Sequence, residues 1–89
     1  MAEERKHSAR WFYLSFASEA GFLGAAVVRA WGEMTATRRA SKLGINPGGE
    51  IMCWPILQKD LYRVPADLRN RLLSEAEVRS RLDGKRVTE

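Results

Sequence analysis

The chain has 89 residues, a formal net charge of +4 and a single cysteine, Cys53. This length predicts one domain with a modest core, and one cysteine excludes both an intramolecular disulfide and a cysteine-rich zinc site. Hydrophobic residues make up 45% of the chain, a value typical of globular proteins rather than disordered ones. The longest apolar run, residues 22–28, is too short to span a bilayer, and residues 1–6 lack a hydrophobic signal. We therefore expect a cytoplasmic protein.

Residues 10–17 alternate in polarity and are rich in aromatic side chains, which predicts a β-strand. One face of this strand carries three apolar side chains, those of Phe12, Leu14 and Phe16. The other face carries the two aromatic rings of Trp11 and Tyr13. A turn at residues 18–21 leads to a second predicted strand, residues 22–30, so these two strands are expected to form an antiparallel hairpin.

Residues 33–43 have the periodicity of an amphipathic helix. Its apolar stripe, which is expected to pack against the sheet, consists of Ala36, Ala40 and Leu43. Its opposite stripe is polar and basic and consists of Thr35, Arg38, Arg39 and Lys42. Gly44 is expected to end the helix, because glycine adopts the left-handed conformation that closes many helices.

Residues 50–57 predict a third strand, and Pro55 near its end predicts an edge strand or a strand terminus, because proline cannot donate to a ladder. Antiparallel pairs are the commoner kind, so we expect the strand order 2-1-3. Residues 65–73 predict a short helix, and the Ser-x-x-Glu spacing from Ser74 predicts a second one. The predicted fold is α+β: a small β-β-α-β sheet, one packed helix and two short C-terminal helices in residues 9–83, between polar tails at 1–8 and 84–89.

The second face of this sheet is expected to need a partner. It carries Trp11 and Tyr13, and exposed aromatic side chains favour association. Either the C-terminal helices fold back over this face or another copy of the chain covers it. Because those helices offer few large apolar residues, we favour a homo-oligomer with Trp11, Tyr13 and Trp31 at its interface, and an unprotected edge strand is the easiest route to it.

The sequence predicts no catalytic site, no metal site and no cofactor. His7, the only histidine, lies in the charged N-terminal tail, where no fixed geometry is expected. Cys53 lies in the middle of a predicted strand without a histidine to activate its thiol. No cluster of histidine, cysteine and carboxylate side chains is visible that could hold a metal ion.

Ligand binding is the more promising chemistry. Arg38, Arg39 and Lys42 could neutralise an anion, and Asn46, Gly48 and Gly49 form a loop whose backbone N–H groups could complete the site. Trp54 could stack on a base, and rings beside arginines, as in Arg29-Ala30-Trp31, suit the same purpose. Alternatively, the loop is only a turn. It follows a helix C-terminus, where the dipole repels anions, and it lacks the Lys-Ser/Thr ending of a P-loop.

Three segments resemble small proteins of phages and prophages: Arg-Trp-Phe-Tyr-Leu-Ser-Phe-Ala at 10–17, Phe-Leu-Gly-Ala at 22–25 and Leu-Gly-Ile-Asn-Pro-Gly-Gly-Glu at 43–50. The Gly-Ile-Asn-Pro-Gly-Gly-Glu loop is the most specific part. The resemblance implies a phage-encoded protein in the host cytoplasm. It carries no catalytic residue with it, because that group has no established activity. Small phage proteins often inhibit host defence proteins or sequester nucleotide immune signals. This comparison rests on the phage context and not on shared functional residues.

These observations lead to one favoured function and two alternatives. The favoured function is a non-enzymatic counter-defence module that sequesters an anionic, nucleotide-like ligand at a homo-oligomer interface. The first alternative is an inhibitor that binds a host defence or regulatory protein through its apolar sheet face or an edge strand. The second is a sequence-independent nucleic-acid binder, as the net charge allows. No membrane partner is expected.

Overall fold

The structure, a computed structural model, describes residues 9–83; the predicted tails at 1–8 and 84–89 lie outside the described residues. Three antiparallel strands form one sheet: β1, Arg10–Ser18; β2, Gly21–Ala30; and β3, Glu50–Pro55. Their order is β2-β1-β3, so β1 is central and the other two are edges. The predicted α+β fold and the predicted strand order are both confirmed.

Helix α1, Glu33–Lys42, covers the first face of the sheet. The core on this side is built from side chains of β1, β2 and α1, namely Phe12, Leu14, Phe16, Ala26, Val28, Ala30, Ala36 and Ala40. The predicted apolar face of β1 is therefore the buried one, and two alanines of the predicted helical stripe are fully buried. Leu43 is the exception: it caps the helix and is 42% exposed, and Ile45 packs against the core instead.

The end of α1 explains that exception. Gly44 has a φ of +75° and turns the chain away, as predicted. Its N–H donates to the Ser41 carbonyl at 3.1 Å, and the Ile45 N–H donates to the Ala40 carbonyl at 3.0 Å. This pair of bonds is the Schellman motif, which brings the residue after the glycine back onto the helix.

The C-terminal third packs against the second face of the sheet and contains the second of the two predicted helices, but not most of the first. It contains 3-10 helices at Gln58–Arg63 and Ala66–Leu68, and a short α-helix, α2, at Glu75–Glu77 that continues as a π-helical turn, Val78–Asp83. The predicted helix at 65–73 is therefore wrong beyond its first turn. The predicted capping box of α2 is confirmed by bonds between Ser74 and Glu77 in both directions, at 3.0 and 3.2 Å.

Backbone hydrogen bonds to β2 explain why the helix at 65–73 does not form. Ala25 and Leu73 exchange two N–H···O bonds, at 3.0 and 2.7 Å, and the Asn70 N–H donates to the Val27 carbonyl at 2.8 Å. These bonds hold the segment in an extended path along the edge of β2, with Asn70 at a φ of 64°. A helix would use the same N–H groups within the segment, so the two arrangements exclude each other.

The C-terminal segment of the same protomer covers the β2 half of the second sheet face, which is the first of the two expected alternatives, whereas Met52 and Trp54 on the β3 half stay exposed. This face holds a second buried cluster made of Ala25, Val27, Val64, Leu68, Leu73 and Val78. The guanidinium of Arg69 lies over the Trp11 ring, 4.8 Å from its centroid, and donates to the Val64 carbonyl at 2.7 Å. Apolar side chains spread along this irregular segment and the stem of Arg69 supply the cover; the buried ones are Val64, Leu68, Leu73 and Val78.

Among residues 9–83, no helix combines the length and the apolar character that a bilayer crossing demands.

Candidate ligand-binding site

A cavity of about 510 Å³ lies where the end of β2 meets the outer face of α1. Eight residues line it: Ala9, Arg29, Ala30, Trp31, Thr35, Arg38, Arg39 and Lys42. Its volume falls within the range of about 300–1,000 Å³ that small-molecule sites occupy. The cavity brings together all three basic residues that the sequence predicted for a ligand site.

Helical geometry places the cations on one side of α1. Arg38 and Lys42 are four residues apart and therefore lie one turn above each other. Arg39 flanks them, and all three side chains are exposed because the alanine stripe faces the sheet. Arg29 reaches the same cavity from β2. Strand β2 and helix α1 therefore both place positive side chains on one concave surface.

Trp31 stands at this cavity because the connection between β2 and α1 is short and fixed. The Thr35 hydroxyl accepts from the Gly32 N–H at 2.8 Å and donates to the Gly32 carbonyl at 2.9 Å. These bonds hold the residue after Trp31 against the first turn of the helix. The indole is 60% exposed, although a tryptophan side chain is usually well buried.

The cations of this cavity differ from three arginines of the C-terminal segment. Within residues 9–83, the cations at positions 29, 38, 39 and 42 form no ion pair or hydrogen bond, and no acidic residue lines the cavity. In contrast, three arginines of the C-terminal segment form ion pairs within residues 9–83. These pairs join Arg71 to Glu77 at 2.7 Å, Arg79 to Glu75 at 2.9 Å, and Arg81 to Asp67 at 3.3 Å. The cavity therefore gathers four cations that form no ion pair within residues 9–83.

The glycine loop lies outside the cavity. The Gly48 N–H donates to the side-chain oxygen of Asn46 at 2.8 Å, and the Asn46 amide donates to the Ser41 hydroxyl at 2.9 Å. Gly49 has a φ of +80° and packs against the backbone carbonyl of Ala17, where a Cβ atom would collide. These contacts build the turn that joins α1 to β3, and anion binding by the N–H groups of this loop stays a prediction.

The remaining predicted aromatic residues lie on the second face of the sheet, away from the cavity. Trp54 stacks on Tyr13, with ring centroids 5.8 Å apart and a tilt of 31°. Trp11 is half-buried beneath Arg69. The predicted interface set of Trp11, Tyr13 and Trp31 is therefore divided between two surfaces, and Trp31 rather than Trp54 accompanies the basic residues.

Cys53 is half-buried against the first core cluster. Burial, with a smaller contribution from the negative charge of Glu33, raises the pKa of its thiol to about 11. The thiol is therefore protonated at neutral pH and a poor nucleophile. Among the described residues, no three histidine, cysteine or carboxylate side chains come together as metal ligands would.

Two residues of the cavity, Arg29 and Trp31, are absent from the predicted set of ligand-binding residues. Arg29 was not assigned to the ligand site, and Trp31 was assigned to an interface. A usable signal existed, because Arg29-Ala30-Trp31 immediately precedes the basic helix and the connection between them is too short to separate them. A residue at the end of a strand and residues on the first turns of the next helix are necessarily close in space.

The chain matches no family model, no curated protein and no solved structure, so the interpretation of the cavity rests on its own geometry.

Proposed function

We propose that this protein binds an anionic, nucleotide-like small molecule in the cavity beside Trp31. The observation that carries the proposal is the meeting of four cations without partners in residues 9–83 and an exposed indole in one cavity of about 510 Å³. Cations without partners attract phosphate, and an exposed indole offers a base a stacking surface worth about 1–3 kcal/mol. A nucleotide carries both groups on one small molecule.

The lining residues divide these roles. Arg38, Arg39 and Lys42 would neutralise the phosphate, together with Arg29 from the strand side. The arginines can hold phosphate oxygens through paired N–H donors, whereas the lysine acts as a point charge. Trp31 would lie against the base. Because Thr35 is already bonded to Gly32 in both directions, its task is to fix the position of Trp31.

The proposed biological role is sequestration rather than turnover. The phage-like segments suggest a setting in which a small protein removes a nucleotide immune signal of the host. Binding by charge and stacking suits such a role.

Thermal unfolding in the presence of nucleotides tests the proposal. The probes are nucleoside monophosphates and cyclic dinucleotides, with inorganic phosphate to measure the effect of charge alone. A nucleotide present at about one hundred times its dissociation constant stabilises the fold by about 2.7 kcal/mol. We expect at least one nucleotide to raise the melting temperature well beyond the effect of phosphate.

Matched variants locate the site. Trp31→Ala and Arg38→Ala should each weaken nucleotide binding about tenfold or more, since each removes about 1.4 kcal/mol or more of contact. Trp54→Ala and Arg79→Ala remove the same residue types outside the cavity and should leave the affinity unchanged. The proposal fails if no nucleotide shifts the melting curve or if the two pairs of variants behave alike. Binding of an oligonucleotide with a steep salt dependence, and of no mononucleotide, would favour nucleic acid instead.

A further inference from the structure

The two edge strands of the sheet, β2 and β3, differ in whether their outer backbone groups are hydrogen-bonded. The edge of β2 is occupied, because Ala25, Val27 and the C-terminal segment share backbone hydrogen bonds. Within residues 9–83, β3 pairs with β1 alone and its outer edge is open. An open edge is a template for another strand, and proteins usually block it with charged residues, proline, a bulge or a very short strand. In β3 the charged Glu50 and Pro55 stand at the two ends and the register with β1 runs without a bulge, so residues 51–54 between them carry no such block.

Strand geometry identifies the groups on that open edge. The Ile56 N–H donates to the Trp11 carbonyl at 2.8 Å, which marks a hydrogen-bonded pair in the ladder between β3 and β1. Because such pairs alternate along antiparallel strands, the backbone groups of Met52 and Trp54 point towards β1. Those of Ile51 and Cys53 point outward. Pro55 also has its ring nitrogen on the outer side, where a proline is tolerated.

The side chains of β3 are also incompletely covered on the second face. Met52 is 59% exposed and Trp54 is 46% exposed, whereas Ala25 and Val27 on β2 are fully buried. The C-terminal segment thus covers the β2 half of this face and leaves the β3 half bare. One strand combines free backbone donors and acceptors with bare apolar side chains.

We propose that β3 pairs with β3 of a second copy of this chain, antiparallel and about a two-fold axis at Met52. In this register the Ile51 backbone bonds to the partner's Cys53, and the Cys53 backbone bonds to the partner's Ile51, so every outward N–H meets a carbonyl. Pro55 is not required to donate. Met52 lies opposite the partner's Met52, in the closely spaced kind of pair, and the two sheets become one.

A second copy fits this edge because the strand is complementary to itself. The same residues supply both donors and acceptors, and apolar side chains meet apolar side chains at the axis, as an isologous two-fold interface requires. The cavity beside Trp31 belongs to β2 and α1, on the other side of β1. Dimerisation through β3 therefore does not depend on ligand binding in the cavity, and the failure of one proposal leaves the other intact.

Sedimentation equilibrium over a wide range of protein concentrations tests the interface. The wild type should show a reversible monomer–dimer equilibrium. Met52→Lys places like charges opposite each other and removes the apolar contact, so the dimer dissociation constant should rise about tenfold or more. Met34→Lys makes the same change at a methionine on α1 that is 77% exposed, and it should leave the equilibrium unchanged.

A charge-swap experiment tests the register. Met52→Lys and Met52→Glu should each dimerise more weakly than the wild type when alone, and a mixture of the two should form a tighter heterodimer, because position 52 lies opposite itself. Circular dichroism checks that each variant is folded. A wild type that stays monomeric at every concentration, or a Met52→Lys variant that dimerises as well as Met34→Lys, overturns the interface. A mixture that dimerises no more tightly than either variant alone overturns the Met52-centred register.

Discussion

At the residue scale, the two glycines of the loop between α1 and β3 have clear backbone roles. Gly48 and Gly49 both have positive φ, at +95° and +80°. They differ in surroundings: a Cβ at Gly48 would meet open space, whereas one at Gly49 would meet the Ala17 carbonyl and the Leu23 side chain. Both glycines are therefore explained by conformation, and Gly49 by packing as well.

This difference leads to a prediction for a matched pair of variants. Gly48→Ala should lower the free energy of unfolding by about 1–3 kcal/mol, the usual cost of a strained φ. Gly49→Ala should cost at least about 1 kcal/mol more, because its Cβ also collides with backbone that cannot move away freely. Urea denaturation measures both. Equal losses would contradict the close approach of Gly49 to Ala17.

Glu77 leads to a prediction of pH dependence. The Arg71 guanidinium, 2.7 Å away, and the Ser74 N–H hold the pKa of its carboxyl at about 2, below the ordinary value of 4.5. Because the pKa is lower in the folded state, this carboxylate stabilises the fold above pH 4.5, and the stabilisation is lost as the pH falls towards 2. Glu77→Gln should therefore reduce the dependence of stability on pH in this window. A carboxyl titration by NMR with a midpoint near 4.5 would contradict the assignment.

At the element scale, the C-terminal segment is the part of the molecule that local patterns describe least well. Its helical pieces are short, and its position depends on Leu68 and Leu73, which are fully buried, and on backbone bonds to β2. The segment is held by the sheet rather than by its own helical propensity, as expected for pieces shorter than a stable isolated helix.

Truncating one anchor of this segment tests that view. Leu68→Ala should lower the free energy of unfolding by about 2–5 kcal/mol, as for other buried leucines. Leu57→Ala removes the same atoms from a side chain that is 55% exposed, and it should stay within about 0.5 kcal/mol of the wild type. Chemical denaturation of both variants gives the comparison. A small loss for Leu68→Ala would mean that the segment is not anchored as described.

At the scale of the whole molecule, two core clusters share a single sheet. The first lies between the sheet and α1, and the second lies between the sheet and the C-terminal segment. Strands β1 and β2 contribute side chains to both clusters in alternation. Neither cluster can form without the strands of the other, so the chain should unfold in one cooperative step.

A variant with only Trp11 tests this cooperativity. Trp31→Phe and Trp54→Phe leave the fluorescence of Trp11 as a probe of the second face, because Arg69 covers that ring. Far-ultraviolet circular dichroism follows the sheet and α1. The two urea transitions should coincide. A fluorescence change that precedes the loss of circular dichroism would show that the C-terminal segment separates first.

The sheet and its helix could be predicted from the sequence because their signals are local. Alternation in residues 10–17 defines which face of β1 is apolar, and the spacing of Ala36 and Ala40 defines which face of α1 meets it. Gly44 and the Ser74 cap mark helix ends through bonds between near neighbours. Of the candidate site, the basic stripe of α1 was predictable for the same reason, since helical spacing alone puts its cations side by side.

The sequence by itself therefore determined the α+β class, the strand order, the buried faces of β1 and α1 and the cations of α1. Only the tertiary structure decided the path of the C-terminal segment, because its N–H groups bond to β2, far away in the chain, instead of to their own turn. It also decided that Trp31, and not Trp54, accompanies the cations, because the two rings lie on opposite sides of the protein. Such outcomes depend on contacts between distant residues, which no local periodicity encodes.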